Sequence, residues 1–207
     1  TLETLARELP THTVRSEGQI AFQQFSTPPA LAYLAVHLPR ITNDDVFLEP
    51  SAGTGIIASL AKRTAKECLL NELEPTRADL LEGLFPGAPV FRRDGAKIAA
   101  LLSGTTRPSV IVMNPPFSVS HSRGGDPNTA ARHLRAALHH LTPGGRVVAI
   151  MPDWFSPSAR DAEAYRRTLE GARVVLSLRL DKGGYAKHGT GIAVRILVID
   201  KVAGEIG

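Results

Sequence analysis

The sequence predicts an α/β fold: a doubly wound, mostly parallel seven-stranded sheet that ends in a C-terminal antiparallel hairpin. Two observations carry this. Short apolar runs alternate with stretches of helical period along the chain, the pattern of a sheet covered on both faces. The run Val110-Ile111-Val112-Met113 is apolar without interruption, as befits a strand buried on both sides. With 207 residues, 43% of them hydrophobic, the chain can bury one sizeable core and reads as a single domain over 1–207, with 1–20 as an N-terminal extension. It begins at Thr1 and not at Met, which reads as part of a longer protein.

The elements follow in order. Thr27-Pro28-Pro29 opens the first helix, with Thr27 as N-cap, Pro28 in the first turn, and Leu31, Leu34, Ala35 and Leu38 on one face. Val46-Phe47-Leu48 is a strand, and the turn Ser51-Ala52-Gly53-Thr54-Gly55 leads into a helix beginning near Ile56. Glu67 to Asn71 is the second strand, followed by a helix through Leu80, Leu81 and Leu84. Val90-Phe91 and Val110 to Met113 are the third and fourth strands, and Ser118 to Asn128 is a polar loop. A helix from Thr129 to Leu141 stops at Pro143-Gly144-Gly145. Val147 to Met151 is the fifth strand, and Ser158 to Glu170 is helical. Val174 to Leu180 and Ile192 to Val202 form an antiparallel pair around the glycine-rich stretch Lys182 to Gly191.

Composition narrows the function classes. No apolar run is long enough to span a bilayer and no signal segment opens the chain, so no membrane partner is expected. The single cysteine, Cys68, excludes an internal disulfide and fits the cytoplasm. Within Cys68-Leu69-Leu70 it reads as a small core residue. The net charge of +4 and a pI near 9.5 suit a polyanionic partner. The seven histidines show no metal-ligand spacing, so no metal is expected, and His139-His140 read as a surface pair.

The chemistry-bearing residues fall at four consecutive strand ends, where open α/β sheets bind ligands. After the first strand, Glu49-Pro50-Ser51-Ala52-Gly53-Thr54-Gly55 turns tightly into a helix N-terminus, a place for an anionic group. Gly53-Thr54-Gly55-Ile56-Ile57-Ala58 also matches the G-x-G-x-x-A dinucleotide fingerprint, so a nicotinamide-dependent dehydrogenase stands as a rival. Glu72 ends the second strand, where a carboxylate can accept from both hydroxyls of a ribose; the plainer reading is a solvated acid. Asp94 ends the third, where it can accept from an adenine amino group; the plainer reading is an Asp-Gly turn.

Asn114-Pro115-Pro116-Phe117 ends the fourth strand. Two prolines remove two backbone donors and stiffen the chain, leaving the Asn114 side-chain oxygen and the Pro115 carbonyl as fixed acceptors for an amino group. Phe117 offers a flat face for a base drawn from its duplex. A rigid turn with a core phenylalanine is the plainer reading. Arg123, Arg132, Arg135, Lys182, Lys187 and His188 are candidate nucleic-acid contacts, each equally readable as solvated charge. Trp154, in Pro152-Asp153-Trp154-Phe155, reads as core or rim packing in preference to lining the base pocket.

With these residues in place, the chain from Ala21 to Val202 resembles the class I S-adenosylmethionine-dependent amino-methyltransferases, a Rossmann-like family, in the branch that modifies adenine N6 in DNA. Phe25-Ser26-Thr27-Pro28 is similar to that family's N-terminal cofactor motif, which implies contacts from Thr27 to the methionine carboxylate. The resemblance implies S-adenosylmethionine as cofactor, with Glu49, Pro50, Ala52, Gly53 and Gly55 as its loop, Glu72 as ribose ligand and Asp94 as adenine ligand. It implies Asn114, Pro115, Pro116 and Phe117 as the catalytic tetrapeptide, with Asn114 also beside the cofactor. The stretch Tyr185-Ala186-Lys187-His188-Gly189-Thr190-Gly191 is similar to a hairpin of restriction-modification methyltransferase subunits. It is also similar to methyltransferase domains fused to strawberry-notch-type helicases of phages and plasmids, some linked to antirestriction. The implied partner is DNA, with a fused or associated helicase or specificity domain. The same tetrapeptide serves RNA and protein-glutamine methyltransferases, so those substrates stay open, as does a silent module that only binds nucleic acid.

Overall fold

The computed structural model describes residues 27–100, 107–117, 126, 128–158, 162–180 and 193–202. Helix α1 (Pro29–His37) precedes β1 (Val46–Glu49), α2 (Ile56–Ala61), β2 (Glu67–Asn71), α3 (Pro75–Leu84) and β3 (Val90–Phe91). A 3-10 helix at Gly95–Ala100 leads to β4 (Val110–Met113), α4 (Thr129–His140), β5 (Arg146–Pro152), α5 (Ala162–Thr168), β6 (Ala172–Leu180) and β7 (Val194–Lys201). The sheet order is β3-β2-β1-β4-β5-β7-β6. Strands β1 to β5 pair in parallel, and β7 enters antiparallel between β5 and β6. The expected seven-stranded sheet with its antiparallel end is therefore present.

The chain winds outward from β1 to β3, then returns to lay β4 on the other side of β1. That reversal opens a crevice at the carboxyl ends of β1 and β4. Strand residues alternate between two apolar layers. Phe47, Leu70, Val112 and Ile150 face α1, α2 and α3, while Leu48, Leu69, Ile111, Met113 and Ala149 face α4. Both layers are apolar, so β1 and β4 are buried at every position and are held rigidly from both sides. Each such side chain contributes on the order of 1.5–3 kcal/mol of burial.

Several local readings change. Thr27 does not cap α1; Pro28 holds the N-cap position with no side-chain bond, and Pro29 pre-sets the first turn. The buried face of α1 is Leu31, Ala32, Ala35 and Val36, with Leu34 and Leu38 packed at its margin. Helix α3 is capped by Glu74, whose carboxylate accepts from the Thr76 and Arg77 N–H groups at 3.0 and 2.8 Å. Only Leu81 of its three leucines is buried; Leu80 and Leu84 point to solvent. His140 is buried and not a surface residue. Arg107 and Lys201 donate to the carbonyls of His139 and Leu141 at the end of α4, supplying positive charge where the helix leaves acceptors unmatched. Cys68 is buried, and burial pushes its thiol up to about 12, as fits an inert core residue.

The antiparallel end is fastened by Arg146, which donates to both oxygens of Asp200 at 2.6 and 2.9 Å. Among the described residues no helix is long and apolar enough to cross a membrane. The α3 geometry gives a direct contrast. Leu81→Ala should lower stability by about 2–5 kcal/mol in urea unfolding, and Leu84→Ala by no more than about 0.5 kcal/mol.

Candidate functional site

The carboxyl ends of β1, β2 and β3 are tied together by one side chain that the sequence reading passed over as the last residue of a strand. Asn71 is 1% exposed. Its Nδ2 donates to the Pro50 and Arg93 carbonyls, both at 2.9 Å, and its Oδ1 accepts from the Arg93 N–H at 3.2 Å. The loops after β1 and β3 are thus clamped to the end of β2. No periodicity signals this role, since an asparagine at a strand end is also an ordinary turn former.

Strand pairing puts Glu49, Glu72 and Asp94 at adjacent strand ends, and the clamp fixes the loops beside them. Glu49 is 2% exposed, and its Oε2 is buried without a hydrogen-bond partner. Burial holds its carboxyl well above the ordinary carboxylate range; a hydrogen bond from the Ala58 N–H opposes this and the neighbouring Glu72 adds to it. Glu72 is also buried, and it fixes the glycine loop. Its Oε2 accepts from the Gly53 N–H at 2.7 Å and its Oε1 from the Glu74 N–H at 2.9 Å. Asp94 is the turn residue its plainer reading expected, its Oδ1 accepting from the Ala96 N–H at 3.0 Å.

Beneath Asp94 lies His133 of α4, which the sequence reading did not single out. Burial pulls it down to about 4, so its ring is neutral at physiological pH. A Cβ on Gly95 would lie 2.8 Å from the Pro50 carbonyl oxygen and 2.9 Å from His133 Nδ1, so glycine is required at that point.

The two loop glycines differ in role. Gly55 has φ +84°, and a Cβ there would sit 2.6 Å from Phe85 and 2.9 Å from Leu81, so its lack of a side chain serves packing against α3. Gly53 has φ +57° and only Arg77 near it, at 3.6 Å; this is the open glycine, where a ligand can approach the backbone. The Ala52, Gly53 and Gly55 N–H groups already donate to the Asn71 carbonyl, Glu72 and the Ala52 carbonyl. Helix α2 has only six residues. Anion capture by that helix end is therefore a weaker element of the site than the sequence implied.

At the end of β4, Asn114 Nδ2 donates to Thr27 Oγ1 at 3.0 Å across 87 residues of sequence. The hydroxyl expected to cap α1 instead accepts from this amide and orients it. Pro115 is buried, and Phe117 is half-buried against both apolar layers, which fixes its ring. Trp154 is on the rim, as expected. Arg132 is exposed and pairs with Asp126 at 3.0 Å. Arg123, Lys182, Lys187, His188, the 185–191 motif and Phe25-Ser26 lie outside the described residues. Among the described residues no group of three His, Cys, Asp or Glu side chains is placed to hold a metal ion.

Two outcomes follow. Gly55→Ala should cost roughly 2–3 kcal/mol through overpacking and backbone strain, and Gly53→Ala about 1 kcal/mol from strain alone, read as shifts in urea midpoint. The raised Glu49 carboxyl has a definite sign. Its stabilising contribution is complete below the ordinary value of 4.5 and is lost as pH rises through the folded-state value. Glu49→Gln should therefore become progressively more stable than the parent as pH rises above about 4.5. A stability difference that does not change with pH would contradict that placement of the proton.

No protein-family model matches the chain, and no curated protein matches it by sequence. Solved structures do match. A modification subunit assigned to a type I restriction enzyme of Vibrio vulnificus superposes with a TM-score of 0.74 at 18% identity, over 97% of this chain and 48% of that one. TrmN from Thermus thermophilus gives 0.62 at 21% identity, over 90% and 52%. A protein of Pyrococcus horikoshii assigned as an RNA methyltransferase gives 0.66 at 23% identity, over 97% and 96%. The chain thus spans about half the length of the first two and nearly all of the third. At these identities the likeness is one of architecture, and the fold is the Rossmann-like fold of the class I methyltransferases.

Proposed function

We propose that this chain binds S-adenosylmethionine at the carboxyl ends of β1 to β4 and methylates the exocyclic N6 amino group of adenine in DNA. The observation that carries the reading is the Thr27–Asn114 hydrogen bond, which sets an oriented amide beside a cluster of three acids. The donor set fits the cofactor. A buried Glu49 oxygen without a hydrogen-bond partner and a second buried carboxyl on Glu72 call for a ligand that brings polar hydrogen-bonding groups, hydroxyls among them. When bound, S-adenosylmethionine supplies a methyl group on a cationic sulfur.

The roles assigned to the residues follow from their positions. Glu72 accepts from the ribose hydroxyls with the second lone pairs of its oxygens, and Asp94 accepts from the cofactor's adenine amino group. Pro50, Ala52, Gly53 and Gly55 shape the loop beneath, with Gly53 as the point of close approach. Thr27 orients Asn114 and, in this reading, contacts the methionine carboxylate. Asn114 Oδ1 and the Pro115 carbonyl accept the hydrogens of the target amine. They turn its lone pair toward the methyl group and stabilise positive charge as it develops on nitrogen. Pro116 stiffens that turn. Phe117 stacks on the target base once it is drawn from its duplex. No tuned general base is needed.

DNA and a restriction–modification setting are supported by the similarity to a type I modification subunit; work in the cytoplasm, antirestriction and an associated specificity or helicase domain are part of the same reading and rest on the sequence resemblance. The likeness to TrmN and to the Pyrococcus protein supports a second reading, the same transfer to RNA. Incubation with radiolabelled cofactor and a panel of duplex DNA, single-stranded DNA, RNA and protein, followed by nucleoside mass spectrometry, tests both. N6-methyladenine in DNA is expected, and label confined to RNA would favour the second reading. Asn114→Ala should slow transfer by roughly two to three orders of magnitude. Undiminished turnover in that variant would remove Asn114 from the mechanism.

A further inference from the structure

Helix α4 packs an apolar face against the sheet, yet that face carries a histidine. Ala130, Leu134, Ala137 and Leu138 are buried there, and His133 lies among them, 6% exposed. Three positions before it and four after stand Ala130 and Ala137, whose small side chains crowd the ring least. A neutral imidazole buried in such a layer costs free energy unless both nitrogens find partners, and here one does not. Its Nδ1 is buried without a hydrogen-bond partner. That nitrogen abuts Gly95, where a Cβ would come within 2.9 Å of it. A leucine would complete the layer and leave no nitrogen unmatched, so the ring serves something other than stability.

The other nitrogen faces the end of β3. Nε2 lies 3.6 Å from Asp94 Oδ1, just beyond hydrogen-bond reach. The ring is neutral at physiological pH, so one nitrogen alone carries a hydrogen. A carboxylate only accepts, and the nitrogen that faces it is therefore the one with the hydrogen. Oδ1 also accepts from the Ala96 N–H at 3.0 Å. Both donors thus address a single oxygen, and among the described residues none donates to Oδ2. The Asp94 side chain is 44% exposed, so a ligand can reach that second oxygen.

We propose that His133 is the positioning residue for Asp94: its Nε2–H and the Ala96 N–H hold Oδ1, and so aim Oδ2 at the exocyclic amino group of the cofactor's adenine. The proposal rests on the S-adenosylmethionine reading of the site and names what gives that site its preference for adenine. A carboxylate on a half-exposed turn has several orientations, and each one removed before binding is one the ligand need not freeze. Filling the site shortens the 3.6 Å separation to an ordinary hydrogen bond, as long contacts in open sites tighten when the ligand arrives. A base with a carbonyl oxygen in place of the amino group would set two acceptors face to face, and a fixed Oδ2 could not turn away from it.

Calorimetric titration of the full chain with S-adenosylhomocysteine and with S-inosylhomocysteine tests this, because the two differ by amino group against carbonyl at that position of the base. The parent should prefer the adenosyl compound by about a hundredfold. His133→Leu should bring the preference down to about tenfold or less, while its thermal midpoint stays at or above the parent's. A merely structural histidine does not give that combination. His133→Gln, whose amide nitrogen reaches the place of Nε2, should restore most of the preference. Nitrogen-15 spectra of the imidazole-labelled parent, which need no variant, should show the His133 hydrogen on Nε2. A hydrogen on Nδ1, an undiminished preference in folded His133→Leu, or equal loss in His133→Leu and His133→Gln overturns the proposal and leaves the cofactor reading intact. So does a parent that binds both compounds alike. A parent that binds neither overturns the cofactor reading as well.

Discussion

The amide of Asn71 makes three hydrogen bonds that no other residue type of its size could make together: two donated to carbonyls on different loops and one accepted from a backbone N–H. Each is worth about 1 kcal/mol net, but the Pro50 and Arg93 groups it satisfies would cost more than that if left buried and unmatched. Because β1, β2 and β3 are already fixed by their apolar layers, the amide adds the last constraint, which is where their loops go. Strand pairing sets Glu49 and Glu72 side by side, and the amide places the Pro50 and Arg93 loop groups, and with them Asp94, next to these acids. The close approach of Gly95 to the Pro50 carbonyl depends on the amide too.

That proximity has an electrostatic consequence. Burial raises the Glu49 carboxyl well above the ordinary range, and the Glu72 carboxylate at the neighbouring strand end adds to the rise. Arg77 offsets part of the charge. Burial lowers this guanidinium, while Glu72 and Glu74 raise it. His133 contributes none, because burial keeps it neutral. The pocket is acidic in composition and short of donors, which suits a cationic nucleoside better than a dinucleotide with a doubly charged pyrophosphate. Its glycine loop also directs most of its N–H groups inward to Asn71, Glu72 and Ala52, where a pyrophosphate could not reach them. This weighs against the dehydrogenase reading that the G-x-G-x-x-A spacing left open.

Much of this was legible in the sequence, and the exceptions have physical causes. Strands with two apolar faces, such as Val110 to Met113, announce themselves, and so do the glycine turn and the Asn-Pro-Pro-Phe corner. Thr27 was readable as an element of the site but misread as a helix cap. Both roles use the same hydroxyl, and only the 87-residue closure to Asn114 decides between them. Gly55 was readable as part of the tight loop, but not as the glycine that makes room for Phe85. His140 was read as exposed because nothing local reveals that Arg107 and Lys201 cover the end of α4. Asn71 was invisible for the same reason: its three partners lie on segments 21 and 22 residues away.

The central claim is that Asn71 assembles a pocket for a cationic nucleoside. Calorimetric titration of the parent and of Asn71→Ala with S-adenosylmethionine, and of the parent with NAD, tests it most directly. The account predicts saturable binding of S-adenosylmethionine at one site and no measurable heat with NAD. It also predicts that a folded Asn71→Ala chain binds S-adenosylmethionine at least about tenfold more weakly, the loss expected from roughly 1.4 kcal/mol of disrupted loop placement. Saturable binding of NAD without binding of S-adenosylmethionine, or parent-like affinity in Asn71→Ala, would contradict it.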